Sequence, residues 1–283
     1  MASSIVLPPF AGASTPAASS SAGPACGASA IRPDRQGAGT SGHGIIGGVP
    51  PVLDFERFDV LTFDCYGTLI DWETGLLEAL RPVLAAHGVG AADDAVLEAF
   101  ARYEAAVEAG SYRPYREVLG AALRGVGEDL GFEPSEDEVE RFGGSVVDWP
   151  AFPDSAAALA RLHTRFSLGV ITNCDDDLFA ASARRLGTTF DAVVTAQQAR
   201  RYKPNPRPFE LMFERLGLPP KRVLHVAQSL FHDHVPAKRL GLTTVWIDRR
   251  HGQAGFGATP PASATPDLTV PDMAALADLA APA

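Results

Sequence analysis

Lysine is nearly missing from this chain. Of 24 basic side chains only Lys203, Lys221 and Lys238 are lysines, so each is more informative than usual. Positive charge is short overall: 34 acidic residues leave a formal net charge of −10, spread out rather than gathered into a tail. That balance argues against nucleic acid or an anionic membrane as partner and fits plain solubility. Cysteine is short as well. Cys26, Cys65 and Cys174 have neither paired nor metal-ligand spacing, so free thiols in a reducing, cytoplasmic setting are expected. Long apolar runs are absent too, and none reaches the roughly 20 residues of a membrane-spanning helix.

What is present suffices for one large core or two smaller ones: 283 residues, 46% of them hydrophobic. Residues 1–49 are rich in Ala, Ser, Gly and Pro and show no periodicity. They cannot bury enough apolar surface to offset their ordering entropy, and we read them as a disordered extension. An acid-poor, Ser-rich leader can also be an organelle transit peptide. Here basic residues are sparse (Arg32 and Arg35) and no amphipathic helix is evident.

The β-prone run Phe58–Phe63 breaks abruptly into Asp64-Cys65-Tyr66-Gly67-Thr68, as a buried parallel strand does on entering a tight loop. Helical spacing follows over Trp72–Val89, Asp94–Ala109, Tyr115–Leu130 and Ser135–Val146, the last with a Ser135/Glu138 capping box. Strands Ser167–Thr172, Ala192–Thr195, Arg222–Ala227 and Thr243–Ile247 then alternate with helices Asp154–His163, Asp176–Leu186, Pro206–Leu216 and Val235–Leu240. Asp267–Val270 reads as a small edge strand and Pro271–Leu279 as a closing helix. This alternation predicts an α/β fold: a doubly wound parallel sheet with right-handed crossovers. Its core takes residues 50–75 and 150–283, and residues 76–149 form an inserted all-helical cap.

Four strand ends carry polar groups at what becomes one edge of the sheet, where open α/β sheets bind ligands. They are Asp64 to Leu69, Thr172-Asn173, Lys203 in Arg201-Tyr202-Lys203-Pro204, and Gln228-Ser229-Leu230-Phe231-His232-Asp233. Asp64 reads as the nucleophile of a hydrolase. Blander readings stand beside these. Asp175, Asp176 and Asp177 suit the first turn of a helix by its dipole. His232 and His234 flank Asp233 as a metal pair would, though neighbours so close usually diverge. Cys65 and Cys174 read as packing residues beside the pocket, or as reactive thiols.

The order Asp-x-Tyr-Gly-Thr-Leu, Thr-Asn, Tyr-Lys-Pro and an acidic loop resembles the haloacid dehalogenase superfamily over about Phe58 to Ile247. Within it, the chain looks most like the (S)-2-haloacid dehalogenases. The resemblance implies that Asp64 attacks C2 of a small 2-haloacid, a carboxylic acid substrate, and that water then hydrolyses the aspartyl ester to a 2-hydroxy acid. Lys203 would hold Asp64 ionised and oriented. Thr68, Thr172 and Asn173 would hydrogen-bond Asp64 and the substrate, while Asp233 would orient Lys203 or the water. Cys65, Tyr66, Arg102, Phe209 and Ser229 would line the substrate side, with Arg102 as halide ligand and Arg81 or Arg113 as alternatives. No cofactor is implied, and a homodimer is expected from the resemblance alone.

Tyr66 decides between branches. Phosphatases of the superfamily carry a second Asp there as general acid, and a phenol cannot do its work at neutral pH. The rival reading is a Mg²⁺-dependent phosphatase of small phosphomonoesters, its metal held by Asp64, Tyr66, Gln228 and Asp233. A third is a non-hydrolytic member that binds a small acid. The chain departs from the dehalogenase pattern at Phe209, where those enzymes have Tyr, and at Ala227-Gln228-Ser229 in place of their Ser-x-Asn.

Overall fold

The computed structural model describes residues 53–253 and 255–282. The expected disordered extension, residues 1–49, lies outside the described residues, as does Cys26.

Six parallel strands form one sheet: β1 (Val60–Phe63), β2 (Ser167–Thr172), β3 (Ala192–Thr195), β4 (Val223–Ala227), β5 (Thr243–Ile247) and β6 (Leu268–Val270). Their order is β3-β2-β1-β4-β5-β6, so the chain leaves β1 first to one side and then to the other. The first strand therefore lies at the centre, paired in register with β2 (Thr62 beside Gly169) and β4 (Thr62 beside His225). Both faces are covered, as parallel sheets require. Leu61, Phe63, Leu168, Val170, Leu224 and Val226 join one apolar cluster, while Val60, Ile171, Val223, Phe209 and Met212 join another. The period-2 alternation of the strands divides them in this way. Burying each such side chain contributes about 1.5–3 kcal/mol, so the centre of the sheet is a stiff mount.

After β1 the chain carries four α-helices before it returns to the sheet: α1 (Trp72–Ala86), α2 (Asp93–Glu108), α3 (Tyr115–Leu130) and α4 (Glu136–Gly144). The helices α2, α3 and α4 pack on one another in turn. The Ser135/Glu138 box caps α4 as expected. That helix stops at Gly144, two residues early, and a 3-10 turn follows over Ser145–Asp148. Around the sheet lie α5 (Ser155–Leu162), α6 (Asp176–Leu186), α7 (Ala196–Ala199), α8 (Arg207–Leu216), α9 (Val235–Arg239) and α10 (Met273–Ala280). One element lacks any sequence signal of its own: the single turn α7, started by Thr195, whose side chain accepts from the Gln198 amide (3.1 Å).

Candidate active site

The loop after β1 closes on itself. The Cys65 carbonyl accepts from the amides of Thr68, Leu69 and Ile70, and the Gly67 amide donates to the Ile70 carbonyl (2.8 Å). Gly67 has φ +88°, which a side chain would strain, and a Cβ there would meet the Trp72 indole nitrogen at 3.0 Å. Arg249 staples the loop from outside. Its guanidinium donates to the Thr68 carbonyl (2.9 Å) and to both oxygens of Asp154, and lies 4.0 Å above the Phe152 ring.

Held this way, Asp64 enters a buried chain of hydrogen bonds. Thr68 Oγ1 donates to Asp64 Oδ2 (2.7 Å) and accepts the Gln228 amide (2.9 Å). Lys203 Nζ donates to Asp64 Oδ1 (2.8 Å), Asp233 Oδ1 (2.7 Å) and the Ile171 carbonyl (2.9 Å), which uses all three of its N–H groups. His225 Nε2 lies 2.9 Å from Asp233 Oδ1, and its Nδ1 lies 3.0 Å from Thr62 Oγ1. A carboxylate only accepts, so Nε2 carries a proton and donates it to Asp233.

The charges are set by the shared cation. Burial opposes the ammonium of Lys203, but Asp233 and Asp64 outweigh it and raise its pKa to about 12. Burial would raise Asp233, yet Lys203 and His225 hold it well below the ordinary range. For Asp64 burial prevails and raises the pKa, with Lys203 pulling it down and Asp233 pushing it up. Two carboxylates on one ammonium cannot both be fully compensated.

The fourth loop is a π-helical turn over Leu230–His234, a geometry common at functional sites. Ser229 Oγ accepts the His232 amide (2.9 Å) and starts the turn, which delivers Asp233 into the cluster. His232 and His234 diverge: His234 Nε2 donates to the Ala227 carbonyl (2.9 Å), while His232 faces the cavity. Burial lowers the pKa of each to about 4, so both are neutral near pH 7.

The cavity above Asp64 is small, about 30 Å³. Among the expected residues it brings together Asp64, Tyr66, Asn173, Lys203, Ser229 and Asp233. Asn173 is locked to Lys203 by a reciprocal pair: its Oδ1 accepts the Lys203 amide (2.7 Å) and its Nδ2 donates to the Lys203 carbonyl (3.1 Å). Tyr66 supplies a ring wall, edge-on to Trp149, and its hydroxyl turns away to Cys174 (3.2 Å) and Ser182 (3.1 Å). Gln228 lies just outside, its side chain meeting Thr259.

Five expectations are corrected. Arg102 is not in the cavity; its side chain is 62% exposed and pairs with Asp129 on α3, because it points from the outer face of α2. The alternatives fare the same: Arg81 pairs with Asp93 at the surface, and Arg113 is exposed. Phe209 is buried beneath the sheet, edge-on to His225 at 5.1 Å, and reaches no substrate space. Cys65 alternates away from Asp64 into the core. Thr172 is buried with its Oγ1 unpartnered and makes no bond to Asp64. Asp175 does more than head its own helix: it accepts the Tyr115 amide (3.0 Å) and so caps α3.

Several cavity residues had no motif to announce them: Trp72, Glu104, Glu108, Tyr115 and Thr259. The glutamates did leave a trace. Leu97, Phe100, Ala101, Glu104 and Glu108 fall on one stripe of α2 at helical spacing, so two acids continue an apolar face.

A doubly wound parallel sheet with a carboxylate–lysine–carboxylate cluster at its carboxyl edge defines an α/β enzyme scaffold of the hydrolase kind. The chain belongs to the haloacid dehalogenase-like hydrolases, whose family model matches residues 58–230. It is 27% identical over 232 residues to haloacetate dehalogenase H-2 of Moraxella sp. (strain B), covering 80% of this chain and 99% of that protein. It is 24% identical over 201 residues to an (S)-2-haloacid dehalogenase of Pseudomonas putida, covering 68% and 85%. In fold it is similar to the L-2-haloacid dehalogenase of Xanthobacter autotrophicus solved with chloropropionic acid covalently bound (TM-score 0.65, 23% identity, 78% and 98% covered). Among the described residues no helix is long and apolar enough to cross a membrane.

Proposed function

We propose that this hydrolase opens a carbon–halogen bond of a small 2-halo compound by way of an aspartyl ester on Asp64. The relatives are named for 2-haloacids and haloacetate, and one structural neighbour was solved with chloropropionic acid covalently bound. The observation that carries the reading is the pairing of Asp64 with Lys203 beneath the cavity, while Tyr66 turns its hydroxyl elsewhere. A halide is a weak base and leaves unprotonated, whereas an alkoxide leaving phosphorus needs the proton a second Asp would give.

In the first step an Asp64 oxygen forms a C–O bond as the C–X bond breaks, and halide departs with the electron pair. In the second, water adds to the Asp64 carbonyl carbon and the acyl C–O bond breaks. The alcohol takes one proton from water, the other is released, and the carboxylate is restored. Lys203 and Thr68 orient Asp64 throughout. Asp233 Oδ2, buried and unpartnered, would accept from the attacking water. The amides of Cys65 and Tyr66, not spent on the loop's own bonds, are the candidates to face the developing oxyanion. Helices α1 to α4 serve as the cap.

The phosphatase reading meets a poor donor set. Oδ1 of both Asp64 and Asp233 is occupied by Lys203, and residue 228 is an amide. Among the described residues no cluster of three or more His, Cys, Asp or Glu could hold a metal. Mg²⁺ prefers a near-octahedral array of hard oxygens, so the amide at residue 228 weakens such a site, and the proposed reaction calls for no metal or cofactor.

Halide release from 2-chloropropionate and 2-chloropropionamide, with and without EDTA, tests the reading. Release from either that survives EDTA and vanishes in Asp64→Asn supports it. Chelator-sensitive hydrolysis of p-nitrophenyl phosphate in its place would sink it. No turnover at all, with ligand binding intact in Asp64→Asn, would leave a small-acid-binding member.

A further inference from the structure

The cavity has a roof as well as a floor. Glu104 and Glu108 lie one helical turn apart on α2 and reach it from the same side. Both are buried: Glu104 is 3% exposed, and the Glu108 side chain 4%. Neither is bonded to a cation among the described residues: Lys203 spends its N–H groups on the floor, though its charge still acts on Glu108, and no arginine of those residues lines the space. The protein instead aims donors at the two acids. Tyr115 Oη donates to Glu104 Oε1 (2.6 Å), and Asn173 Nδ2 lies 3.3 and 3.1 Å from the two oxygens of Glu108.

A second observation points to a guest. The His232 side chain is nine-tenths buried and lines the same space, yet its Nε2 has no hydrogen-bond partner and lies 3.7 Å from Glu108 Oε2. Asp233 Oδ2, fully buried, is also unpartnered. Unsatisfied polar atoms around an empty space are costly unless a ligand meets them. What the roof offers is two carboxyls that become pure acceptors once they ionise.

We propose that Glu104 and Glu108 recognise a nitrogen-borne hydrogen-bond donor, an ammonium or an amide, beside the reacting carbon of the substrate. The favoured substrates are then small halogenated amines or amides rather than 2-halocarboxylates. The substrate part of this inference rests on Asp64 attacking in this cavity; the recognition part does not. A carboxylate entering here would face Asp64 and Asp233 with only Lys203 to offset them, and would require both roof acids to stay protonated.

The groups facing the pair are Tyr115 from α3, Asn173 after β2, Lys203, Asp64 after β1, and His232 and Asp233 from the π turn. Burial holds Glu104 up at about 8, and burial with Glu104 beside it holds Glu108 well above the usual range. A cation entering would favour the ionised acids, so its binding tightens as pH rises. An anion would do the reverse.

The test uses guests small enough for the space and needs no turnover: NMR titration of the wild type with methylammonium, formamide and formate between pH 6 and 8.5. At pH 8 the nitrogen ligands should bind at least about tenfold more tightly than formate, a difference of roughly 1.4 kcal/mol. Methylammonium should gain affinity with pH, formamide should not change, and formate should lose it. Glu108→Gln keeps the shape and the Asn173 contact, and should erase both the preference and the pH dependence; Glu104→Gln gives an independent second variant. Formate binding as tightly as both nitrogen ligands, no binding of either nitrogen ligand, or an unchanged ranking in both variants would overturn the proposal. In turnover, 2-chloropropionamide should exceed the acid by a similar factor. Guest binding as expected without any halide release would refute the Asp64 chemistry and leave the roof's role standing.

Discussion

Lys203→Met is the most informative single change to the floor of the cavity. The side chain is 1% exposed and its ammonium joins two buried carboxylates and a carbonyl. Methionine replaces its aliphatic stem but leaves Asp64 and Asp233 without the ammonium, and breaking a buried pair in this way costs about 3–5 kcal/mol. At roughly 2–4 °C per kcal/mol for a unit of this size, the melting temperature should fall by on the order of 10 °C. The loss should depend on pH, with a definite sign. Asp233 is held below its unfolded value, so in the wild type it stabilises the fold above that value, and this is lost as pH falls. Without Lys203 that contribution disappears, and an unpaired carboxyl takes up a proton instead. The penalty should be largest near pH 8 and shrink toward pH 5. Urea unfolding at both values measures it, with the slope checked for constancy. Adding Asp233→Asn should recover about 1–3 kcal/mol, because the second change removes the charge the first one stranded. A penalty equal at both pH values and additive with Asp233→Asn would show that the ion cluster is not what Lys203 maintains.

Three further outcomes follow from the same contacts. Because the ionised form of Asp64 attacks and its pKa is raised, halide release should fall on the acid side at a pH above that of an ordinary aspartate, with full activity above that limb. Thr68→Val removes a donor to the carboxylate and should move the limb higher still in a kcat/KM profile, besides stranding the Gln228 amide at about 1–3 kcal/mol. Arg102→Ala removes an exposed pair and should shift melting by less than about 2 °C, leaving halide release and its KM unchanged; a large rise in KM would restore it as a substrate ligand. Arg249→Met loses the bonds to Thr68 and Asp154 from a mostly buried position and should lower stability by about 3 kcal/mol in urea.

The sheet was legible because parallel strands buried on both faces read as short, dense apolar runs. VLTF, SLGVIT and VLHVA each stand out against the polar segments around them. Element ends were less legible where local turns replace the last turn of a regular element. Ser145–Asp148 and Pro220–Arg222 are 3-10 turns that shorten the predicted α4 and β4. No periodicity announces such a turn, since its stabilising bonds are backbone bonds that any sequence can make.

The floor and the roof of the site differ for a related reason. Asp64, Asn173 and Asp233 follow β1, β2 and β4 in the loops that leave them, Lys203 follows β3 after the single turn α7, and parallel topology brings these strand ends to one edge. Their meeting follows from connectivity alone. The roof depends on the rotation of α2 about its axis, and a shift of one residue turns a helix by about 100°. That rotation separates Arg102, which faces solvent, from Glu104 and Glu108, which face Asp64. The resemblance asked for an arginine on an early helix, and residue type alone selected Arg102. The apolar stripe through Leu97, Phe100 and Ala101 selects the glutamates instead, because it fixes which face of α2 is inward. His225 gives the same lesson on β4: an imidazole in the middle of VLHVA is buried by the strand's own neighbours, so it must find partners inside, and it finds Thr62 and Asp233. Polar residues that continue an apolar pattern are thus the signal that short motifs leave out, and in this chain they supply the half of the cavity that selects the substrate under the proposed reading.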